Sequence, residues 1–354
     1  MHIGEYVKGG VATYLKEVIE FQKQSKDIKE VYLMLSSTNS EKNFDLPSKN
    51  IIFYDYTRSI KNSFRAILAI FKEVKRIKPD IVHVHSTFAG VFVRLPFLFR
   101  KKNYKIIYCS HGWSFLMETT YLKQKLYEII EIILAFRTDK IVNISQNEHV
   151  RSLKKGFPST KSILINNGIK EEVKIKEIQC RIDSNKINLL FVGRFDRQKG
   201  LDILIDLFNH YQNNNIKLYV VGDSILKNTE INIPSNVISL GWIDNDELDS
   251  YYRLFDAVII PSRWEGFGLV AIEAMKNKKA IIVSNRGALP DLTQNNNGYV
   301  FDIEKLETLK EILNSIKKSD LEEKGINGYE FFNRNFTSER MNNEIISVYR
   351  ELIN

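Results

Sequence analysis

Cysteine, proline and long apolar runs are scarce in this chain of 354 residues, which contains two cysteines and seven prolines. Because Cys109 and Cys180 cannot build a disulfide framework, a reducing cytoplasm is the expected location. The longest apolar runs are interrupted by charges such as Arg94 and Glu131, far short of the roughly 20 residues that span a bilayer. The N-terminus also lacks a basic segment leading into a long apolar stretch. We therefore expect neither a membrane-spanning helix nor a secretory signal.

The charge of the chain is unevenly distributed. Residues 1–180 contain 30 Lys and Arg against 18 Asp and Glu, a net charge of +12, and residues 181–354 carry a net charge of −4. The basic half is compatible with an ordinary solvated surface, and equally with a membrane surface, a phosphate-bearing ligand or nucleic acid as partner. The sequence has no helix-turn-helix signature, zinc-finger spacing or basic motif interleaved with aromatics. Nucleic acid is therefore not expected as a partner.

Short apolar runs bounded by polar turns alternate with amphipathic stretches, which is typical of parallel sheets covered by helices. Two consecutive sets of such repeats predict an α/β protein with two Rossmann-like domains that join within the charged segment 170–188. In such folds ligands bind beyond the carboxyl ends of the strands. Residues that directly follow each predicted strand are therefore the candidates for chemistry.

The first candidate site follows a strand predicted at Ile187–Val192. Gly193 and Arg194 come directly after that strand, and Lys199 precedes Gly200, where a helix is predicted to begin. Two cations beside the free amides of a helix N-terminus favour a diphosphate, although an exposed basic loop has the same sequence. The segment lacks the Walker pattern, and no Gly-x-Gly-x-x-Gly follows a strand. These absences weaken the case for a nucleoside triphosphatase or a nicotinamide enzyme.

The second candidate site is the segment 261–273, which follows a strand predicted at Ala257–Ile260. Glu265 is placed on a loop, and Glu273 lies just over a turn into the next helix. The glycines of this loop let backbone N–H groups approach a ligand without a Cβ in the way. Carboxylates accept hydrogen bonds from vicinal hydroxyls, which suits a sugar or a ribose. A helix N-terminus with favourable acidic residues and no ligand is the alternative.

Together the two segments resemble the retaining GT-B glycosyltransferases of the fourth family. The first reads Gly-Arg-Phe-Asp-Arg-Gln-Lys-Gly-Leu-Asp from Gly193, and the second reads Pro-Ser-Arg-Trp-Glu-Gly-Phe-Gly-Leu-Val-Ala-Ile-Glu-Ala-Met from Pro261. The combination is more specific than either part. Further matching segments cover most of the chain and begin at Gly9-Gly10, Asp80-Ile-Val-His83-Val-His85, His111-Gly112, Asn167-Gly168-Ile169 and Leu240-Gly241-Trp-Ile.

The resemblance implies a GT-B fold, in which the parallel sheets of two Rossmann-like domains face each other across a cleft. The acceptor-side domain is expected at 1–178, with a C-terminal helix at about 337–354 that packs back on it. The donor-binding domain is expected at 179–336. Little sequence precedes Gly9 compared with the family's first strand, so we expect either a short strand or missing residues.

The resemblance also implies roles for individual residues. Arg194 and Lys199 would bind the donor diphosphate and offset the charge that develops on the leaving group. Glu273 would hold the ribose hydroxyls, Glu265 would hold the sugar ring, and His111 would approach the donor sugar. The expected catalytic residues are His111, Arg194, Lys199 and Glu265. The expected donor-binding residues are Gly9, Gly10, Gly193, Arg194, Lys199, Ile243, Glu265, Gly266, Phe267, Gly268, Leu269 and Glu273.

No metal or other cofactor is expected. The family's retention of configuration is attributed to front-face attack, in which the leaving phosphate oxygen takes the acceptor proton, and no nucleophile–acid pair of carboxylates is evident. His83 and His85 share one face of a strand, but spacing reveals no third metal ligand. Asp244-Asn-Asp246 is compatible with the Asp-x-Asp of GT-A enzymes. We instead expect Asp246 to be the N-cap of the following helix.

We therefore predict a cytoplasmic retaining hexosyltransferase that uses a nucleotide-diphosphate sugar, with UDP favoured over GDP. The expected acceptor is a glycan or a polyprenyl-diphosphate-linked sugar in the biosynthesis of capsule, O-antigen, exopolysaccharide or lipopolysaccharide. The basic amphipathic stretches Arg94–Lys102 and Ser63–Lys78 are compatible with peripheral docking on anionic lipid at the inner membrane face, or with ordinary surface. A sugar-nucleotide epimerase or hydrolase of the same fold, and a non-catalytic nucleotide-sugar-binding subunit, are the alternatives.

Overall fold

The computed structural model describes residues 1–98, 101–211, 213–223, 234 and 236–354. The chain forms two compact units, of which the first contains Met1–Gly168 and Ser338–Asn354 and the second contains Ile169–Thr337. Each unit has one parallel β-sheet whose strands alternate with helices along the chain. The predicted α/β architecture of two Rossmann-like domains is thereby confirmed.

The first unit contains a seven-stranded parallel sheet in the order β3-β2-β1-β4-β5-β6-β7. Its strands are β1 (His2–Gly4), β2 (Leu33–Ser36), β3 (Ile51–Tyr54), β4 (Ile81–His85), β5 (Lys105–Cys109), β6 (Lys140–Asn143) and β7 (Ser162–Leu164). Its α-helices are α1 (Gly10–Gln24), α2 (Ile60–Ile77), α3 (Thr87–Arg94), α4 (Tyr121–Ala135), α5 (Gln146–Lys154) and, at the end of the chain, α12 (Ser338–Ile353).

Strand β1 is short but lies in the interior of this sheet. Its three residues pair with β2 on one side and with β4 on the other, so that His2 lies opposite His83 and Gly4 opposite His85. All three residues are buried. Because the sheet is covered on both faces, its strands are apolar along their length rather than alternating with polar residues. The buried histidines of β1 and β4 depart from this pattern.

The second unit contains a six-stranded parallel sheet in the order β10-β9-β8-β11-β12-β13. Its strands are β8 (Ile187–Val192), β9 (Ile216–Val221), β10 (Val237–Gly241), β11 (Ala257–Ile260), β12 (Ala280–Ser284) and β13 (Gly298–Phe301). Its α-helices are α6 (Leu201–His210), α7 (Leu248–Leu254), α8 (Leu269–Lys276), α9 (Leu289–Leu292), α10 (Glu307–Ser315) and α11 (Lys318–Asn335).

The order of the second sheet brings the two candidate loops together. The chain leaves β8 towards β9 on one side and later returns to β11 on the other side of β8. The loops after β8 and β11 therefore begin at the same edge of the sheet, at the point where the strand order reverses, which is where ligands bind in folds of this kind.

The charged segment after Gly168 packs on the second unit. The backbone amide of Lys174 donates to Asp249 Oδ2 at 3.0 Å, and that of Lys176 donates to Ser250 Oγ at 2.7 Å. These contacts explain why the structure divides the chain at 168/169, ten residues before the expected division at 178/179.

Helix α12 packs on α1 in the first unit. The hydroxyl of Ser338 donates to Glu17 Oε2 at 2.6 Å, and the guanidinium of Arg340 donates to the carbonyl oxygen of Asn166 at 2.6 Å. Buried apolar residues of α12, among them Met341 and Ile345, add to this contact. Within the described residues, no helix combines the length and the hydropathy that crossing a bilayer requires.

Candidate active site

Two glycines bring the loops after β8 and β11 into contact. Gly200 is the N-cap of α6 with φ of 73°, and a Cβ on it would lie 2.1 Å from the carbonyl oxygen of Pro261. Gly268 is the N-cap of α8 with φ of 104°. Both conformations are in the left-handed region, which glycine adopts without the strain that a Cβ causes. The two helices therefore begin beside each other at the end of the sheet.

An ion pair joins two of the expected site residues. Lys199 Nζ lies 3.1 Å and 2.9 Å from the two carboxylate oxygens of Glu265, and both side chains are largely buried. Arg194 lies on the same loop as Lys199, but its side chain is about half exposed (51%) and faces Asp196 Oδ2 at 3.1 Å. The arrangement places two cations and one carboxylate beyond β8 and β11, with Arg194 accessible to a ligand.

Further contacts hold the two loops in register. Arg263 forms a bidentate ion pair with Asp202, with distances of 2.7 Å and 2.6 Å. The backbone amide of Arg263 donates to the carbonyl oxygen of Gln198 at 2.8 Å, and Gln198 Nε2 donates to that of Trp264 at 3.2 Å. Because these bonds span the two loops, Lys199 and Glu265 are held by a scaffold and not only by each other.

Glu273 lies in α8 and accepts a hydrogen bond from the buried hydroxyl of Tyr252, at 2.8 Å to Oε2. Burial raises the pKa of Glu273, against the Tyr252 hydrogen bond and the charges of Lys276 and Lys199, which lower it. Tyr252 comes from α7 and was not identified from the sequence. No local signal marks it, since its partner is 21 residues away.

The remaining expected donor-binding residues lie on loops at helix starts. Gly193 directly follows β8, Gly266 precedes the start of α8, Leu269 is its first residue, and Ile243 lies half-buried between β10 and α7. The ring of Phe267 is buried and packs on Phe336 at 5.7 Å between centroids, so only its backbone is left for a ligand. In the first unit Gly9 is the N-cap of α1 with φ of 55°, and Gly10 is the first residue of that helix.

His111 follows β5 in the first unit and is partly exposed. Its backbone is in the left-handed region, with φ of 54°, which is uncommon for a residue with a Cβ and occurs often at functional sites. Nε2 of His111 lies 2.9 Å from Nδ1 of His85, and its ring meets that of Tyr14 edge-on with centroids 4.6 Å apart. Burial lowers the pKa of His111 to about 3, so its imidazole is neutral at pH 7.

The fold supplies the third histidine that spacing alone did not reveal. His2, His83 and His85 are buried, and each offers a ring nitrogen within 4.8 Å of the others. Their proximity follows from the register of β1 against β4, which a single sequence does not display. The cluster has the ligand types of a metal site, but the ring nitrogens of His2 and Nε2 of His85 are also engaged in hydrogen bonds.

The expected capping role of Asp246 is wrong. Helix α7 begins at Leu248 with Glu247 as its N-cap residue, and Asp246 forms an ion pair with Lys176. The backbone amide of Glu247 donates to the carbonyl oxygen of Asp244 at 3.0 Å, which makes a turn before the helix. Asp246 therefore lies in this turn, one residue before the N-cap, where its carboxylate faces Lys176.

The basic stretch Arg94–Lys102 was expected at the surface, but its first residue, Arg94, is not there. Arg94 is fully buried, and it donates to Glu131 Oε2 at 2.7 Å and to the carbonyl oxygen of Gly90 at 2.9 Å. Its guanidinium also lies 3.6 Å above the ring of Tyr108. Arg94 is therefore part of the core, and residues 99–100 of the segment lie outside the described residues.

Two family models divide the chain between them. The model described as Glycosyltransferase Family 4 matches residues 8–173, and that described as Glycosyl transferases group 1 matches residues 173–329. Two Rossmann-like units that each match a glycosyltransferase family model define a sugar-transferring enzyme of the GT-B class. The chain belongs to glycosyltransferase family 4, and the resemblance predicted from the sequence is confirmed.

Relatives and a solved structure extend this similarity over the whole chain. An uncharacterized 41.2 kDa protein in the cps region of Klebsiella pneumoniae is 34% identical over 99% of both chains. The Escherichia coli UDP-Gal:alpha-D-GlcNAc-diphosphoundecaprenol alpha-1,3-galactosyltransferase is 23% identical over 71% of this chain and 69% of that enzyme. HepE of Anabaena, solved in complex with UDP-glucose, is 16% identical with a TM-score of 0.78, covering 99% of this chain and 100% of that one. At this identity the last likeness shows the GT-B fold alone.

Proposed function

We propose that this glycosyltransferase transfers a sugar from a UDP-sugar to a polyprenyl-diphosphate-linked acceptor during assembly of a surface polysaccharide, with retention of configuration. The observation that carries the proposal is the Lys199–Glu265 pair beyond β8 and β11, with Arg194 and Glu273 on the same two βα units. Supporting it, the galactosyltransferase relative is named for a UDP-sugar and a diphosphoundecaprenol acceptor, HepE was solved with UDP-glucose, and the Klebsiella relative lies in a cps region.

In this proposal the diphosphate competes with Glu265 for Lys199. A phosphate oxygen approaching Lys199 Nζ displaces part of its ion pair, and Glu265 then accepts hydrogen bonds from hydroxyls of the sugar. The half-exposed Arg194 completes the diphosphate contact without being drawn from the core. Glu273 accepts from the ribose hydroxyls through the carboxylate oxygen that Tyr252 does not engage. The cations thus bind the diphosphate of the donor, and the carboxylates bind the hydroxyls of its sugar and its ribose.

The proposed chemical step needs no carboxylate nucleophile. The acceptor hydroxyl oxygen forms a bond to the anomeric carbon while the bond from that carbon to the leaving phosphate oxygen breaks, and the hydroxyl proton passes to that phosphate oxygen. Arg194 and Lys199 stabilise the negative charge that accumulates on the departing diphosphate. Glu265 is ion-paired and Glu273 is hydrogen-bonded by Tyr252, which agrees with binding roles for both.

The test is a panel of UDP-, GDP- and ADP-sugars with N-acetylglucosaminyl diphosphoundecaprenol as acceptor. We expect UDP-sugars alone to raise the melting temperature, and a disaccharide lipid to form whose anomeric coupling matches that of the donor. Donor consumed equally well without acceptor would replace the proposal by the epimerase or hydrolase alternative. A product of inverted configuration would refute retention.

A matched pair of arginine variants tests the diphosphate contact. Arg194→Gln is expected to weaken UDP binding by roughly tenfold to a hundredfold, the range for losing one charged hydrogen bond of about 1.5–3 kcal/mol. Arg334→Gln removes an arginine of similar exposure (65%) from α11 and is expected to leave UDP binding unchanged. Equal effects in the two variants would mean that net charge, and not the site, governs binding.

We also propose that α4 contacts the anionic membrane surface that carries the acceptor. Apolar side chains recur on this helix at intervals of four and three residues and are exposed: Leu122, Leu126, Ile129, Ile133 and Phe136. Exposed cations stand at both ends of the stripe, at Lys123 and Arg137. A solvent-exposed apolar stripe flanked by cations suits insertion into the interface of an anionic bilayer.

Flotation with phosphatidylglycerol and phosphatidylcholine vesicles tests this contact. We expect binding to phosphatidylglycerol vesicles alone, and a loss of at least roughly tenfold in Ile129→Asp, because burying one such side chain contributes about 1.5–3 kcal/mol. Ile326→Asp is the matched control, since Ile326 has the same exposure as Ile129, 54%, and lies on α11. Binding that ignores lipid charge, or that survives in Ile129→Asp, would remove the membrane proposal and leave the transferase proposal untouched.

A further inference from the structure

A continuous chain of hydrogen bonds runs from His111 into the core of the first unit. Nε2 of His111 lies 2.9 Å from Nδ1 of His85, and Nε2 of His85 lies 3.0 Å from Nδ1 of His2. Nε2 of His2 then lies 2.8 Å from Oε1 of Gln22, whose Nε2 donates to the hydroxyl of Tyr349 at 3.2 Å. His111 comes from the loop after β5, and the other members come from β4, β1, α1 and α12.

Each imidazole in this chain is neutral at pH 7 and carries a single ring proton. Burial lowers the pKa of His2 to about 3, and burial together with the neighbouring histidines lowers the pKa of His85 well below its usual value. A neutral imidazole donates from one ring nitrogen and accepts at the other. The direction of one bond in the chain therefore determines the direction of the next.

The amide at the buried end sets that direction. Because Nε2 of Gln22 donates to Tyr349, its Oε1 faces His2 and accepts, so His2 carries its proton on Nε2 and accepts at Nδ1. His85 then donates from Nε2 to His2 and accepts at Nδ1. His111 in turn donates from Nε2 to His85, which leaves Nδ1 of His111 without a proton.

We propose that His85, His2 and Gln22 are positioning residues that hold His111 as the Nε2-protonated tautomer, so that its Nδ1 accepts a hydrogen bond from a substrate hydroxyl. The meaning of this tautomer for catalysis rests on the proposed function. An acceptor nitrogen orients a sugar hydroxyl as the donor, and the wrong tautomer would present an N–H to that hydroxyl instead. Among these groups only His111 is partly exposed, so the others act through it.

The hydrogen-bonded chain explains the histidine cluster better than a metal ion does. A cation bound by His2 Nδ1 and His85 Nε2 would have to replace the proton that these nitrogens share. The groups that perturb the pKa values of His83 and His85 electrostatically are other histidines and the amino terminus, and no carboxylate is among them. A buried divalent cation without a carboxylate partner carries a large desolvation cost.

The tautomers can be read directly from long-range ¹H–¹⁵N correlation spectra of ¹⁵N-histidine-labelled protein. We expect His111, His85 and His2 all to be protonated at Nε2 in the wild-type protein. His85→Leu cuts the chain next to His111, and His83→Leu removes an equally buried ring from the same face of β4 without touching the bonds between Gln22 and His111. The first variant is expected to give mixed tautomers of His111, and the second is expected to leave its Nε2-protonated form.

Two further variants separate positioning from loss of structure. His85→Asn keeps a side-chain oxygen near the position of Nδ1, and it is expected to restore the Nε2-protonated form of His111. Gln22→Met removes the distant acceptor and is expected to mix the tautomers of His111 across two intervening histidines. Using the UDP-sugar that the wild-type protein turns over, His85→Leu is expected to lower kcat about tenfold or more with KM unchanged, and His83→Leu is expected to lower it far less.

Three results would overturn the proposal. His111 protonated at Nδ1 in the wild-type protein would reverse the direction of the chain, and an unchanged His111 tautomer in both His85→Leu and Gln22→Met would show that the chain does not set it. Stoichiometric zinc retained by the purified protein and lost in His2→Ala would assign the cluster to a metal. Because the spectra need no substrate, these results stand whether or not the protein transfers a sugar, and a failed transfer assay does not count against the tautomer.

Discussion

Replacing Glu148 by glutamine should make the first unit more stable, and increasingly so as the pH rises. Glu148 is buried in α5, where its Oε1 accepts a hydrogen bond from the backbone amide of Trp113 at 3.0 Å. Its Oε2 is buried without a hydrogen-bond partner among the described residues. Burial raises the pKa of this carboxyl to about 7, although the backbone amides of Trp113 and Ile144 lower it. Glutamine keeps the acceptor for Trp113 and cannot ionise.

The magnitude follows from the difference between the folded and unfolded pKa values. Between pH 4.5, the ordinary value, and about 7, the folded state holds a proton that the unfolded state has released, so the free energy of unfolding falls as the pH rises. A difference of roughly 2.5 units corresponds to about 3 kcal/mol, of which about 2 kcal/mol is lost by pH 6. The gain of Glu148→Gln over the wild-type protein should therefore grow by about 3 kcal/mol from pH 4 to pH 8.

Urea unfolding at several pH values measures this gain. The fluorescence of Trp113 reports on the first unit once Trp242 and Trp264 have been replaced by phenylalanine, because the chain has three tryptophans. The buried histidines ionise only in the unfolded state near pH 6.5, which lowers stability in acid, but they do so in both proteins and cancel in the difference. Glu351→Gln, at a carboxyl on α12 of the same unit that is 62% exposed, is the control and should give no growing gain.

A gain that stays constant from pH 4 to pH 8 would refute the reasoning. It would mean that Glu148 ionises in the folded state as readily as in the unfolded chain, so that burial carries no penalty there. A gain that grows in the opposite direction would require a cation near Glu148 that the described residues do not provide.

Two further predictions concern buried partners of charged groups. Arg94→Met leaves Glu131 as a buried carboxylate without its cation and should lower the free energy of unfolding by about 3–5 kcal/mol. The double variant Arg94→Met with Glu131→Leu should recover most of this loss. Urea unfolding measures both variants, and a double variant no more stable than the single one would contradict the pairing. Tyr252→Phe removes the hydrogen bond to Glu273 and should weaken the binding of UDP by about tenfold, but that of 2′,3′-dideoxy-UDP very little. Calorimetry measures both affinities. Equal losses for the two ligands would mean that Glu273 does not bind the ribose hydroxyls.

The second unit could be predicted in most of its functional detail because its signals are local. The apolar runs at Ile187–Val192 and Ala257–Ile260 are strands with the predicted bounds, and each is followed directly by its loop and helix. Lys199 and Glu265 were each expected at a donor site, yet the ion pair between them depends on β8 lying beside β11. Strand order is a property of the whole sheet, which no short motif contains.

The histidine chain of the first unit could not be predicted, because it too depends on strand order and helix packing and has fewer local sequence signals. His83 and His85 share a face by their two-residue spacing, but His2 reaches them only through the pairing of β1 with β4. Gln22 and Tyr349 are ordinary residues on helices, and they join the chain because α1 packs against α12. The one weak signal in the sequence is a glutamine, Gln22, at a position of an amphipathic helix that faces the core.

The titratable groups of the two units differ in how burial affects them, and this difference predicts which group sets the pH dependence of the reaction. The histidines of the first unit are kept neutral by burial, with a pKa of about 3 for His111, so they do not change charge between pH 5 and pH 8. In the second unit Lys199 and Glu265 form an ion pair, and burial raises the pKa of Glu273. Loss of activity in mild acid should therefore reflect protonation of Glu273, since a neutral carboxyl accepts hydrogen bonds from ribose hydroxyls less well, and not protonation of His111.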